Sequence, residues 1–112
     1  MTSTNIKHLP EGSTYWTEYG YSQSYPWVEV KRTAKTVTLA RIETEVDPEW
    51  KAKIEFHPGG FCGHVSNQHE QTWLYAGLGT ETKTIRLTKN GWRSGSSRFV
   101  QDVAQYFYDY NF

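Results

Sequence analysis

Alternating apolar and polar side chains predict β-strands along much of the chain. The clearest alternation lies in residues 27–31, 36–46 and 82–88, and shorter strands are predicted at residues 50–56 and 72–75. The inward positions of the clear strands are expected to share one core, which contains Val28, Val30, Val37, Leu39, Ile85 and Leu87. Short strands rich in β-branched and aromatic residues favour a mainly β protein, and a small barrel fits them best.

The strand at residues 36–46 carries a break in its own pattern. Apolar positions run through Val37 and Leu39 and then shift by one residue to Ile42. Because strand side chains alternate with a period of two, a shift of one predicts a β-bulge or sharp bend near Ala40 and Arg41. Such a bend helps a small sheet to curl into a barrel.

The domain boundaries and turns follow from the ends of the pattern. Residues 1–14 are polar and aperiodic, which predicts a flexible N-terminal arm before a single β-barrel domain at residues 15–112. Residues 15–21 form either a first strand or an aromatic-rich loop. Turns are predicted at residues 77–81 and at residues 89–92, where the Asn-Gly pair favours a tight hairpin.

The C-terminal stretch changes period. Helical spacing predicts a short C-terminal helix from four apolar residues, Phe99, Val103, Tyr106 and Phe107. A serine at position 96 or 97 would cap the start of this helix. The alternative is a final strand at residues 106–108.

Charge is balanced overall but separated along the chain. Twelve Lys and Arg stand against twelve Asp and Glu, so the formal net charge of the 112 residues is zero. Global electrostatics therefore favour no polyanionic partner. An acidic run covers residues 43–49, however, and residues 83–98 contain five basic residues and no acid. This distribution predicts one basic face on a neutral molecule.

Aromatic residues make up 16% of the chain, although its mean hydropathy is −0.74. Trp and Tyr offer flat contact area with a polar group, which suits both small β cores and binding surfaces. The single Cys excludes an internal disulfide. No apolar run reaches the length of a membrane span or resembles a signal peptide, so a soluble cytoplasmic protein is expected.

The stretch from Phe56 to Trp73 has neither a helical nor a strand period. It contains three of the four His residues, the only Cys and three Gly, and residues 58–60 (Pro-Gly-Gly) force turns. Long polar loops in small domains are commonly functional. The binding surface is therefore predicted in this central loop.

The central loop also offers groups for metal binding and catalysis, but neither is predicted. The candidate zinc ligands match no common zinc motif and include no Cys-x-x-Cys pair; they are His57, Cys62, His64 and His69. Productive Cys-His pairs are usually assembled from distant segments, so the closeness of Cys62 to these His residues is weak support for catalysis. Glu70 points away from its neighbour His69 on an extended segment. We therefore expect no metal, no cofactor and no enzymatic activity.

Four stretches together carry a resemblance to a known group. Residues 28–39 place a Thr-Ala-Lys-Thr turn between two strands, and residues 58–64 read Pro-Gly-Gly-Phe-Cys-Gly-His. A basic strand at residues 85–92 and an aromatic end at residues 108–112 follow. Residues 25–112 thereby resemble small, uncharacterised tailed-bacteriophage proteins. The resemblance implies a phage origin and an SH3-like barrel, but no chemistry, because the group has no settled role.

A phage origin and a small size favour a binding protein that acts in the cytoplasm of the host cell. We expect a monomer or homodimer that blocks or sequesters a host component, for example as an anti-defence inhibitor of a CRISPR nuclease or as a sponge for a nucleotide signal. The alternative is a nucleic-acid-binding accessory protein that uses a basic and aromatic barrel face. No membrane partner is expected.

The predicted binding residues come from two regions that are expected to lie side by side. The central loop contributes His64, Asn67, Gln68, His69, Gln71 and Trp73, and the basic hairpin contributes Arg86, Lys89, Trp92 and Arg93. Guanidinium groups beside Trp suit an anionic ligand with a flat ring or an acidic protein surface. A competing interpretation pairs Arg86 with Glu43 or Glu45 in a salt bridge across the sheet.

Overall fold

The computed structural model describes residues 2–20, 22–50, 54–56, 63–65 and 68–108. Within these residues the protein is mainly β, as predicted, and the only helical segment is a 3₁₀ turn at Gln68–Glu70. No helix in this part of the chain is long and apolar enough to cross a membrane. The strands, in chain order, are β1 (Ser3–Thr4), β2 (Ile6–Lys7), β3 (Tyr15–Tyr19), β4 (Ser24–Arg32), β5 (Thr36–Val46), β6 (Ile54–Phe56), β7 (Gly63–Val65), β8 (Trp73–Thr88), β9 (Gly91–Ser94), β10 (Ser97–Gln101) and β11 (Val103–Ala104).

Six of the described strands close into a ring. Each pairs with the next in the order β8, β5, β4, β3, β10 and β9, and β9 pairs back with β8. Neighbours in the ring are antiparallel. The pairing of residues 86–88 with residues 91–93 closes the ring, so the edges of β8 and β9 meet there instead of facing solvent. The prediction of a small barrel is confirmed as far as this closed ring of strands.

The interior of the ring is filled by large apolar side chains. No member of this inner cluster is more than 3% exposed, and its members are Trp16, Trp27, Val37, Leu39, Ile85 and Phe99. The rings of Trp27 and Phe99 meet edge to face with their centres 6.4 Å apart. The burial of these apolar side chains inside the ring stabilises it.

An ion pair lies beside the inner cluster. Glu18 accepts a hydrogen bond from Trp27 Nε1 at 3.1 Å and another from Lys83 Nζ at 3.3 Å. The Lys83 ammonium also lies 5.4 Å from the centre of the Trp27 ring, within the range of a cation–π contact. The indole N–H and the carboxylate are therefore both paired, as polar groups in an apolar interior must be.

Arg32, the last residue of β4, covers the ring interior on its other side. Its guanidinium lies 5.7 Å from the centre of the Trp16 ring and 5.8 Å from that of Trp92. It also donates a hydrogen bond to Glu29 at 2.8 Å, and Glu29 in turn accepts one from Trp16 Nε1 at 3.0 Å. These contacts cover the interior with side chains whose polar groups are hydrogen-bonded to one another.

Two residues predicted for the core are exposed instead. Val30 is 63% exposed and Leu87 is 50% exposed. The register of β4 against β5 shifts between Glu29 and Lys31, so Val30 lies in a bulge and turns toward solvent. Leu87 keeps the inward phase, but it pairs with Trp92 next to a hairpin turn, at a point that the rest of the ring does not cover.

The predicted single core is in fact two. Val28 belongs to an outer cluster, separate from the inner one, whose buried members are Ile6, Tyr15, Val28, Ala40, Ile42, Trp73 and Ala104. Strands β2 and β11 supply Ile6 and Ala104, so segments near both termini cover the outer face of β3, β4 and β5. On this part of the sheet both faces are buried, which strict alternation of apolar and polar residues cannot signal.

The predicted bulge in β5 is confirmed. The ladder between β5 and β8 shifts register between Ala40 and Ile42, and it shifts again between Glu43 and Thr44. The first shift lies where the apolar phase of the sequence slips. Ala40 and Ile42 both join the outer cluster, whereas Leu39 faces the interior.

The two predicted turns have different outcomes. The prediction of a turn at residues 77–81 is wrong, because β8 runs without a break through this segment. Gly77, with φ of 111°, accommodates the irregular pairing of β8 with β5. The hairpin after β8 is confirmed: Lys89 and Asn90 form its turn and Thr88 pairs with Gly91. Gly91 has φ of 97°, a backbone angle that residues with a Cβ rarely adopt.

The predicted C-terminal helix is wrong. Strands β10 and β11 occupy this stretch, and Asp102 between them has φ of 64°, which a helix does not allow. Phe99 packs in the inner cluster, whereas Ala104 packs in the outer one. The apolar positions therefore change face at Asp102, and this change produces the spacing that resembles a helix. Phe107 forms a single antiparallel bridge with Ser24.

The segment predicted as a flexible N-terminal arm is paired with the rest of the sheet. Ser3–Thr4 lies parallel to β11, and Ile6–Lys7 lies parallel to the start of β8. Ile6 is only 3% exposed. The polar composition of the segment conceals this attachment, because among its described residues only Ile6 and the partly buried Leu9 pack on the outer cluster.

An ion pair fixes this N-terminal segment to the end of β5. Lys7 Nζ lies 2.8 Å from Asp47 Oδ2, Thr72 Oγ1 donates to the same oxygen at 2.6 Å, and the Glu49 N–H donates to Oδ1 at 3.0 Å. Asp47 itself is 1% exposed. The hydrogen bond from Lys7, followed by those from Thr72 and Glu49, lowers the pKa of Asp47 to about 2.

We predict that Ile85→Ala lowers the free energy of unfolding by about 2–5 kcal/mol, because truncating a fully buried β-branched side chain leaves a cavity. The matched control is Leu87→Ala, two residues along the same strand and half exposed, which should lose about 1 kcal/mol or less. Urea denaturation of the two variants measures the difference. Equal losses would show that the inner cluster is assigned wrongly.

We also predict that Asp47→Asn reduces the acid sensitivity of the protein. A pKa lowered from 3.8 to about 2 means that Asp47 adds stability above pH 4, and that this contribution is lost as the pH falls toward 2. The variant should be less stable than the wild type at pH 7 and lose less stability between pH 4 and pH 2. The control is Glu49→Gln, since the Glu49 side chain is 79% exposed. Parallel pH profiles for wild type and Asp47→Asn would contradict the assignment.

Candidate functional site

Three arginines lie directly opposite one another on neighbouring strands of the ring. Arg86 on β8 is opposite Arg93 on β9, and Arg93 is opposite Arg98 on β10. The next row along the same strands contains the inward-phase residues Leu87, Trp92 and Phe99. Because side chains alternate across a strand, the three arginines face outward. We call them the arginine row.

The arginine row has no acidic partner in the described part of the chain. The cations that form ion pairs there are Lys7, Arg32 and Lys83. No Asp or Glu occurs in residues 82–101, and the buried Nε of Arg93 has no hydrogen-bond partner among the described groups. Like charges directly opposite destabilise an antiparallel pair by about 0.2–1 kcal/mol. The row therefore weakens the isolated protein, and a bound anion would remove the repulsion.

Hydroxyl groups border the arginine row. Thr36 on β5 is directly opposite Arg86. Thr84 and Thr88 lie two residues before and after Arg86, so they share its outward face, and both are exposed. Val100, which is only partly exposed, is the nearest apolar residue of this face on β10. The face thus offers charged and hydroxyl donors without an apolar centre.

The acidic run lies toward the other end of β5. Thr36 pairs with Arg86, whereas Glu43 pairs with Gly77. At 3.3 Å per residue the seven residues between Thr36 and Glu43 correspond to about 23 Å. The prediction of a salt bridge between Arg86 and Glu43 or Glu45 is therefore wrong. The acidic residues of β5 and the arginine row lie far apart on a molecule of zero net charge.

The residues predicted from the basic hairpin separate into two groups. Arg86 and Arg93 belong to the arginine row, and Lys89 is exposed in the adjoining turn. Trp92 points to the other side of the sheet, where its ring meets Trp16 edge to face at 5.4 Å. Trp92 is therefore part of the packing at the ring interior and does not accompany the arginines.

Two of the binding residues predicted from the central loop are buried and contribute to the fold. Gln71 is 3% exposed and Trp73 is 7% exposed. The Gln71 side chain accepts hydrogen bonds from Trp73 Nε1 and from the Tyr108 N–H, each at 3.1 Å, and donates to the Tyr108 carbonyl at 2.6 Å. Gln71 therefore joins the start of β8 to the C-terminal segment through both the oxygen and the nitrogen of its amide.

Asn5 performs a similar task and was not among the predicted residues. Its side-chain amide donates to the Tyr106 carbonyl at 2.8 Å and to the Gln71 carbonyl at 3.3 Å, and it accepts from the Tyr106 N–H at 3.1 Å. Nothing in the local sequence marks Asn5, because its partners are distant in the chain.

The other predicted loop residues lie apart from one another or outside the described residues. His69 is exposed and stacks on Phe107, with ring centres 6.0 Å apart. Gln68 begins the 3₁₀ turn and is partly exposed. His64 lies in the β7 backbone, and Asn67 lies outside the described residues.

The structure does not bring the described loop residues to the arginine row. The loop ends at Trp73, which pairs with Val46, whereas Arg86 pairs with Thr36. Ten residues of β5 separate these two points, which corresponds to roughly 30 Å. The predicted patch of arginine, tryptophan and loop amides therefore reduces to its arginines, with Arg98 added.

The expectation that the central loop binds no metal stays a prediction. Among the described residues, no group of three His, Cys, Asp or Glu side chains could hold a metal ion. Two of the candidate ligands, His57 and Cys62, lie outside those residues. The geometry of the arginine row calls for an anion, for which no metal is needed.

Comparisons of the chain with protein-family models, with curated proteins and with solved structures found no significant match. A functional conclusion therefore rests on the geometry of the arginine row.

We predict that Gln71→Leu destabilises the protein without changing its affinity for anions. The variant removes the acceptor of the buried Trp73 indole N–H, and a buried donor that loses its acceptor costs about 1–3 kcal/mol. Gln23→Leu is the control, since no hydrogen bond of the Gln23 side chain occurs among the described residues. Thermal unfolding and oligonucleotide binding are measured together. A Gln71→Leu protein of normal stability that fails to bind would restore Gln71 to the binding site.

Proposed function

We propose that the protein is a non-enzymatic nucleic-acid-binding protein and that its arginine row contacts phosphate groups. The observation that supports this proposal is the direct opposition of Arg86, Arg93 and Arg98 without an ion pair in the described residues. Arg presents a planar fork of donors that matches two oxygens of a phosphate. Strands in a sheet are about 4.8 Å apart, so the three side chains start within about 10 Å of one another.

Nucleic acid fits this face better than an acidic protein surface. Protein interfaces have a buried centre enriched in aromatic and apolar residues, whereas the arginine row is bordered by threonines, by one partly exposed valine and, at its Arg98 end, by the partly exposed Tyr19. A phosphodiester chain carries charge at every residue, so several cations in a line can each find a phosphate. The zero net charge does not oppose this function, because the acidic residues of β5 lie about 23 Å or more from the row.

The proposal also covers origin and setting. The resemblance to tailed-bacteriophage proteins supports a phage protein with an SH3-like barrel that acts in the cytoplasm of an infected cell. An accessory protein that binds phage or host nucleic acid agrees with that setting. Blocking a host protein such as a CRISPR nuclease finds less support, because the arginine face has no apolar centre.

The test is the double variant Arg86→Ala, Arg93→Ala with a fluorescein-labelled oligonucleotide. Binding is followed by fluorescence anisotropy between 50 and 300 mM salt. We expect the affinity to fall about tenfold or more. The slope of log K against log salt should fall by about 0.7–0.9 for each lost phosphate contact. The variant should be at least as stable as the wild type, because both repulsive pairs, Arg86 with Arg93 and Arg93 with Arg98, have been removed.

The matched control is Arg86→Lys, Arg93→Lys, which keeps both charges and removes the planar forks. It should retain the salt slope and lose part of the affinity. Poly-glutamate serves as the competitor that carries charge without phosphate. The proposal fails if the Ala variant keeps wild-type affinity. It also fails if poly-glutamate competes as well as the oligonucleotide, which would indicate an acidic protein partner.

A further inference from the structure

The arginine row continues onto a fourth strand with an aromatic residue. Arg98 on β10 is directly opposite Tyr19 on β3, and its guanidinium lies 5.1 Å from the centre of the Tyr19 ring. Tyr19 is partly exposed. Arg86, Arg93, Arg98 and Tyr19 therefore form one line that crosses four neighbouring strands at right angles to them.

We infer that the ligand is a single-stranded nucleic acid that follows this line, with phosphates on the arginines and a base against Tyr19. This inference rests on the proposed function and names its substrate class. Four strands about 4.8 Å apart give a line of about 14 Å, which suits a few nucleotides of an extended strand. A base stacks on an aromatic ring only when it is unpaired, because duplex bases already stack on one another.

The surroundings of Tyr19 support a stacking role. Thr17, two residues earlier on the same strand, shares the outward face but is fully buried under the C-terminal segment. Its hydroxyl donates to the Val103 carbonyl of that segment at 2.6 Å. The cover that the C-terminal segment gives to β3 therefore includes Thr17, while Tyr19 stays partly exposed beside Arg98. A guanidinium next to a tyrosine ring adds a cation to the stacking surface, and such pairs are used to hold bases of single strands.

The test compares probes that all carry a phosphodiester backbone but whose bases are unpaired, paired or absent. The probes are a 12-nucleotide single strand of DNA, the same strand of RNA, a 12-base-pair duplex and an abasic strand of 12 phosphates. Wild-type protein should bind the single strands more tightly than the duplex or the abasic strand. Tyr19→Leu should lower the affinity for single strands about tenfold and leave the affinity for the abasic strand unchanged.

Tyr19→Phe is the matched variant, because it keeps the ring and should keep the affinity. Thermal unfolding of both variants shows whether each is folded. The DNA and RNA arms distinguish the two sources of a single strand, because only RNA offers the 2′-hydroxyl.

The outcomes separate this inference from the proposed function. If the duplex binds as tightly as the single strand, or if Tyr19→Leu weakens the abasic strand equally, the single-strand inference is overturned. The arginine row then still binds nucleic acid through phosphate alone. If no oligonucleotide binds to the wild-type protein, the inference and the proposed function both fail.

Discussion

The pairing of β8 with β9 is the constraint on which the rest of the structure depends. This pairing closes the ring, and closure gives the sheet an inside that Trp16 and Trp27 can fill. The same pairing places Arg86 opposite Arg93. A sheet left open at this point would keep its strands but would lose its enclosed core, and β8 would expose unpaired backbone groups along its edge. The fold and the charged face are thus products of one hairpin.

The outer surface of the ring is divided into a half that other segments cover and a half that is open. Strands β2 and β11 bury the outer face of β3, β4 and β5, with Asn5 and Gln71 joining these segments through their amides. The outer face of β8, β9 and β10 carries Arg86, Arg93 and Arg98 instead. Apolar outward residues mark the covered half and charged ones mark the open half.

Much of the strand pattern could be predicted from the sequence, because alternation reports directly on a sheet with one buried face. The bulge near Ala40 was also visible, since a bulge shifts the period. Val30 and Phe99 were not placed correctly, because Val30 lies in a bulge and the chain changes face at Asp102, shortly after Phe99, whereas a simple period assumes no such change. Gln71 was predicted to be a binding residue for a related reason. The sequence does not show whether a glutamine amide is buried or exposed, and only its hydrogen-bond partners in the structure distinguish the two cases.

The separation of charge in β5 and β8 has a consequence for how the protein would meet a ligand. A molecule of zero net charge exerts no net pull on a distant polyanion, so electrostatics do not bring the two together from afar. Two opposite charge clusters about 23 Å apart still form a large dipole, which exerts a torque once the partner is within a few Debye lengths. The dipole would therefore orient the protein during an encounter rather than attract the ligand from a distance, and the acidic end of β5 would be directed away from the ligand.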